Sequence, residues 1–213
     1  DSLGIWYAGN EAQPFTTFEY QNVTYGFAAF SPNKGTPSIN DLPAARQTIE
    51  LLDSLADVVI VSFHGGAEGS KYTHVPREHE YFYGEDRGDV YHFAHTLIDA
   101  GADVIFGHGP HVPRAIEIYK ERFIAYSLGN FATYRRFNLK GANGLAPIAA
   151  IEIDAKGVFL SGRIISAKQV GSGVPVPDNN SGAVTLIREL TKKDFPEVGL
   201  GIEDSGEIVY IHR

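Results

Sequence analysis

Apolar and polar residues follow three different rhythms along this chain, and each rhythm predicts an element. In PFTTFEYQNVTYGFAAF (14–30), aromatic and β-branched residues flank Gln21-Asn22, the pattern of two strands joined by a tight turn. Past the turn-rich SPNKGTPSIND, the residues Leu42, Ala45, Ile49, Leu52 and Leu55 recur at helical spacing, which predicts a helix over 41–55. DVVIVSF (57–63) is a continuous apolar run, which suits a strand covered on both faces, as in a parallel sheet. Residues 64–86 are polar and carry few apolar anchors. GDVYHFAHTLIDAG (88–101) is predicted helical, with Val90, Phe93, Ala94, Leu97 and Ile98 inward and Gly101 as its stop. ADVIFG (102–107) is a second buried strand. Helix, strand, long loop, helix, strand is the order that gives parallel pairing, so the fold class is α/β.

The rhythm changes after residue 111. AIEIYKERFIAYS (115–127) and PIAAIEIDAKGVFLSGRIIS (147–166) both read as hairpins, and a last helix is predicted over 181–193. A final strand pair surrounds Asp204-Ser205-Gly206, and the opening DSLGIWYAG reads as a helix end running into a turn. One domain over 1–213 with mixed sheets is expected, with its chemistry in 57–131 and antiparallel strands and the terminal helix in 147–213.

Charge and composition narrow the partners. A formal net charge of -8 and the lack of a Lys/Arg cluster argue against nucleic acid. No apolar run reaches the roughly 20 residues that span a bilayer. The chain has no Cys, so thiolate ligands and disulfides are excluded. It also has no Met, even at position 1, which leads to the expectation of a processed chain or a piece of a longer one.

Two stretches share a layout. LADVVIVSFHGG and GADVIFGHGP each run from a helix end through Ala-Asp-Val and an apolar strand to His and Gly. Functional groups of open α/β sheets gather beyond the carboxyl ends of the strands, so His64 and His108 are expected side by side there. On an extended strand, His108 and His111 would face opposite sides, and Gly109-Pro110 disfavours a helix. A turn folds both rings toward one point. Three neutral imidazoles suit a borderline ion such as Zn, Mn or Fe, with Glu68 near; the alternative is three polar residues in ordinary turns.

Other candidates stay open between chemistry and structure. Asn130, in AYSLGNF, orients a substrate or a ligand, or caps a turn. Arg114 holds an anionic group such as phosphate or carboxylate, or makes a surface ion pair. His92 and His95 are expected as surface or satisfied core residues. His74 and His79 lie in a lid or in a solvated loop, and His212 is expected to be inert. The chain lacks Gly-x-Ser-x-Gly, Gly-Lys-Ser/Thr and Gly-x-Gly-x-x-Gly. A two-metal site also needs bridging carboxylates, so either one ion is held or the acidic ligands lie elsewhere.

VVIVSFHGGAEG, with GDVYHFAHTLIDAGADVIFGHGPHVPRAIEIYKERFIAYSLGNF, strongly resembles the CapA family of capsule (poly-γ-glutamate) synthesis proteins, of the calcineurin-like metallophosphoesterase fold group. The resemblance is most specific across 58–131. It implies an α/β/β/α sandwich of which this chain is the C-terminal portion, with His64, His108 and His111 as metal ligands. It also implies that Glu68 follows the sheet histidine at the family's spacing and that Ser127 to Phe131 is the family's Ser-Leu-Gly-Asn-Phe. Gly65-Gly66 departs from the aromatic that many members carry after that histidine. The early Gly-Asp motif and the Asn-Asn-His motif of the family's N-terminal half do not occur here, so its acidic ligands are expected upstream.

Three readings follow. The first is a metal-dependent phosphoesterase-type hydrolase linked to a capsule or poly-γ-glutamate polymer, with two divalent ions in the full-length protein. In it Arg114 and Asn130 orient substrate and Glu68 supports proton transfer. The second is a non-catalytic accessory protein that binds an anionic capsule polymer, which would require a basic cleft of Arg114, Arg135, Arg136 and Lys140. The third is a mononuclear three-histidine zinc enzyme. Other capsule-synthesis proteins are candidate partners, and a leader upstream would place the protein in the periplasm, outside the cell or anchored to the membrane.

Overall fold

The computed structural model describes residues 4–135 and 137–210. The expectations for Arg136, His212 and residues 1–3 therefore lie outside the described residues.

Strands β1 (Phe15–Tyr20) and β2 (Val23–Phe30) form the first hairpin, and both turn residues, Gln21 and Asn22, adopt left-handed φ values of 52° and 61°. Helix α1 (Leu42–Asp53) starts where the Asp41 carboxylate accepts a hydrogen bond from the Ala44 amide, satisfying one of the open donors of the first turn. Strand β3 (Val58–His64) follows. The polar stretch after it holds only a two-residue ladder, β4 (Tyr81–Phe82) with β5 (Glu85–Asp86). Helix α2 (Val90–Asp99), capped by Asp89, leads into β6 (Val104–His108). A hairpin of β7 (Ile116–Tyr119) and β8 (Arg122–Ala125) comes next.

These elements build one six-stranded mixed sheet in the order β1-β2-β3-β6-β8-β7. Its four inner strands are mutually parallel and its two outer strands antiparallel to their neighbours. The α/β class and the mixed sheet are as expected from the periodicity. Ala28, Val59, Val61, Phe63 and Ile105 pack under α1 and α2 in the main core. Because side chains alternate along a strand, His64 projects from the other face, away from those helices.

Past a 3-10 turn (Gly141–Gly144), the chain adds β9 (Ile148–Ile153) with β10 (Phe159–Ile165), and β11 (Ala167–Val170) with β12 (Val174–Pro177). Helix α3 (Gly182–Asp194) and the pair β13 (Leu200–Ile202) and β14 (Ile208–Tyr210) complete it. Phe159, Ile164, Val184, Ile187 and Ile208 join Val104, Ile116 and Phe123 in a second core. Opposite α1 and α2, the second β layer of the expected sandwich thus consists of two-stranded ladders. The described part of the opening segment, residues 4–9, is not helical; Trp6 instead stacks on Phe18 of β1 with ring centroids 5.1 Å apart. The β11–β12 pair had no clear signal, since Pro175 and Pro177 obscure the strand pattern. Among the described residues, no helix is long and apolar enough to cross a membrane.

Candidate functional site

The matching layouts end at matching places. Strands β3 and β6 run parallel in a register that pairs His64 with His108, so both imidazoles leave the same edge of the sheet. Beyond His108 the chain reverses through Gly109, with φ +123°, and His111, with φ +59°. A Cβ on Gly109 would lie 2.4 Å from the Gly65 carbonyl oxygen, so only glycine lets the two post-strand turns touch. The Gly65 amide donates to the His108 carbonyl and the Gly69 amide to that of Pro110, which locks the turns together. The expected turn therefore exists, and it places the His111 ring 6.1 Å from that of His64.

Each ring has a defined environment. Burial, then the charge of Arg87, and then the neighbouring histidines hold the His64 pKa down at about 4. Burial likewise lowers that of His108. Both rings are thus neutral near pH 7, the form in which imidazole offers a lone pair. They share the lining of a cleft of about 350 Å³ with Ser62 and residues 8–9. His111 Nδ1 lies 2.7 Å from Asn130 Oδ1. With the proton on Nδ1, the ring donates to the amide oxygen and turns the Nε2 lone pair toward Glu68, whose Oε2 is 3.7 Å away. Asn130 is held in turn by its own backbone, whose carbonyl accepts from Gln169 Nε2 of β11.

Two residues near the site were not singled out for it in the sequence. Arg87, with a side chain only 5 % exposed, puts Nη2 3.1 Å from both His64 Nε2 and Glu68 Oε1. Its Nε donates to the Gly66 carbonyl. Glu80, 7 % exposed, accepts from the Ala67 amide and forms a two-pronged pair with Arg114 at 2.7 and 2.8 Å. No spacing rule links positions 64, 80, 87 and 114; only the folded loop does.

Arg114 corrects the expectation of a substrate contact. It is fully buried, and besides Glu80 it donates to the carbonyls of Tyr72 and Ala67. Its guanidinium holds the 66–80 loop from inside and does not face the cleft. A basic cleft built around Arg114, Arg135, Arg136 and Lys140 therefore loses its first member, while the Arg135 guanidinium lies over the Tyr134 ring. The polar loop is strapped down at its outer side too: His74 pairs with Asp194 at 2.6 Å, and the Val75 amide donates to the same carboxylate. His79 pairs with Asp86. His92 is exposed, and His95 bonds the buried Glu117 at 3.0 Å.

The donor set suits a divalent ion in kind and falls short in number. His64 and His108 are neutral imidazoles, and Asn130 fixes His111 in the way an outer hydrogen bond fixes a metal-ligating ring. Yet among the described residues no three His, Asp or Glu side chains are grouped so as to hold a metal ion. The His64 lone pair, moreover, faces a guanidinium.

Comparison with known proteins follows the same residues. The family described as bacterial capsule synthesis protein PGA_cap matches residues 2–135. The PGA biosynthesis protein CapA of Bacillus subtilis is 29 % identical over 216 residues, which cover 90 % of this chain and 49 % of that protein. The capsule biosynthesis protein CapA of Bacillus anthracis is 33 % identical over 58 % of this chain and 31 % of its own length. A "Probable polyglutamine synthesis accessory protein" of Mycobacterium tuberculosis is 42 % identical over 53 % of this chain and 28 % of its own. The chain thus spans about half the length of these relatives or less.

Proposed function

Because the chain belongs to the bacterial capsule synthesis protein family, we propose that it carries the imidazole side of a divalent-metal-dependent hydrolase site of the phosphoesterase type. The family ties the chain to capsule and poly-γ-glutamate synthesis, and the proposed setting is the cell surface, with an exported protein acting on a polymer or its phosphoester precursor. The observation that carries the reading is the in-register pair His64–His108 at the ends of parallel strands, with the His111 ring 6.1 Å from that of His64 and held by Asn130. A divalent ion bound there would act as a Lewis acid on the phosphoester oxygen. His64, His108 and His111 would contribute ligands, with carboxylate ligands from residues outside these 213. Glu68, beside His111 Nε2, would pass protons at the edge of the site, and Asn130 would keep His111 in the ligating tautomer.

A second reading has one observation behind it. Arg87 already satisfies His64 Nε2, as a fixed cation would in a site that binds a polymer without cutting it. Elemental analysis of the purified full-length protein separates the two. The hydrolase reading expects two divalent ions per chain, falling when His108 and His111 are both changed to Ala. A single ion supports the mononuclear zinc alternative, and a protein that takes up no metal on reconstitution supports the accessory role.

A further inference from the structure

Glu68 faces two ways. One side meets Arg87 and His111; the other lines a cleft of about 480 Å³ shared with Ser70, Lys71, Tyr72, Tyr81 and Tyr83. The three tyrosines are 40 %, 61 % and 94 % exposed, an unusual concentration of aromatic surface beside one carboxylate.

The backbone adds an independent observation. Strands β4 and β5 are joined by the two-residue loop Tyr83-Gly84, with φ values of 50° and 82°. Such loops strongly favour Asn-Gly, because a bulky side chain is strained in the left-handed region. Tyrosine sits there with its ring in solvent and only the Phe82 ring close, at 4.4 Å. A strained residue that contributes little packing is a pointer to function at that position. Another exposed ring, Phe137, lies 5.2 Å from that of His111, so aromatic surface also borders the imidazole that Glu68 faces.

The geometry points to a sugar-binding subsite: the aromatic cleft at Glu68 takes neutral glycosyl units of a sugar-containing capsule polymer or phosphoester on which the histidine edge acts. Aromatic faces pack on the apolar faces of sugar rings, while a carboxylate, an ammonium and tyrosine hydroxyls meet the sugar hydroxyls. Charge disfavours a bare polyglutamate chain. Among the described residues, the only cation lining this cleft is Lys71, and the buried guanidiniums of Arg87 and Arg114 are already spent in ion pairs with Glu68 and Glu80. A polyanion needs several exposed cations in a row.

The inference rests on the hydrolase reading for the bond that is cut, but its test does not. Calorimetric titration of the full-length protein is run in excess EDTA with two neutral probes, chitohexaose and maltohexaose, and with a γ-linked glutamate hexamer. At least one hexasaccharide should bind, and Tyr83→Asn should weaken that binding by about tenfold, the range of one aromatic stacking contact. Because Asn suits the turn, the same variant should melt at the wild-type temperature or above, so lost binding is not lost folding. Tyr81→Ala should weaken binding in the same direction. Failure of both hexasaccharides to bind, unchanged binding in Tyr83→Asn, or binding of the glutamate hexamer instead overturns the proposal. Metal content is measured separately, so a failure of the hydrolase reading is distinguishable from a failure of the sugar subsite.

Discussion

Arg114→Met tests the buried pair that shapes the loop beside the histidines. Arg114 is 0 % exposed and Glu80 7 %, and their two bonds of 2.7 and 2.8 Å are joined by donation to the Tyr72 and Ala67 carbonyls. Methionine fills much of the volume but leaves the buried Glu80 carboxyl without its counter-charge. Breaking a buried pair from one side costs about 3–5 kcal/mol. At about 2–4 °C per kcal/mol for a domain of this size, the melting temperature of the full-length protein should fall by about 6–20 °C. Arg114→Lys should recover little, since an ammonium cannot match the fork that bonds both carboxylate oxygens. Adding Glu80→Leu to Arg114→Met should restore part of the loss, because the stranded charge goes with it. Thermal unfolding followed by circular dichroism checks all three. A melting temperature within about 2 °C of wild type for Arg114→Met would refute the structural role, and weakened substrate binding at unchanged stability would return Arg114 to the substrate.

Two further outcomes follow from the site. Asn130→Ala removes the oxygen that holds His111 Nδ1, so metal affinity in a chelator competition should drop by about 10–100-fold while stability changes little; unchanged affinity would show that Asn130 only caps its turn. His64 has a folded-state pKa of about 4 against an ordinary 6.5. The unfolded chain therefore takes up the proton first, and in EDTA the stability from this group is complete above about pH 6.5 and lost as pH falls toward 4. Urea unfolding across that range should show a shallower pH slope for His64→Gln, and an identical slope in both proteins would remove burial of neutral His64 as the cause.

The elements that carry the histidines were legible because their signals are local. DVVIVSFH and ADVIFGH are apolar runs broken by His and Gly, and each became a parallel strand ending at the imidazole. The turn at 109–111 was legible from Gly109-Pro110, since both a helix and a straight strand were excluded there. The loop between β3 and α2 was not legible. Its order comes from Glu80 reaching Arg114 across 34 positions and His74 reaching Asp194 across 120, and no periodicity encodes such pairs. Arg114 was misplaced for a related reason. Its closeness to His111 in sequence suggested a shared cleft, but the Pro113–Leu128 bridge and the Arg114–Ser127 backbone bond turn its side chain inward.

Arg87 shows how the two functional readings differ in physical terms. One lone pair on His64 Nε2 cannot serve a guanidinium and a metal ion together. A bound ion would have to displace the Arg87 contact, and the repulsion of two cations would favour that. Arg87 would still be held, since the Gly66 carbonyl and the Glu68 carboxylate bond it independently of His64. The freed donor would then lie next to the ion, where an anionic oxygen would meet both charges. With no ion, the same guanidinium satisfies His64 and Glu68 and leaves a neutral, closed edge beside the aromatic cleft. The aromatic cleft would be left in place in either state, whereas a phosphoester would find room beside the histidines only once Arg87 had been displaced.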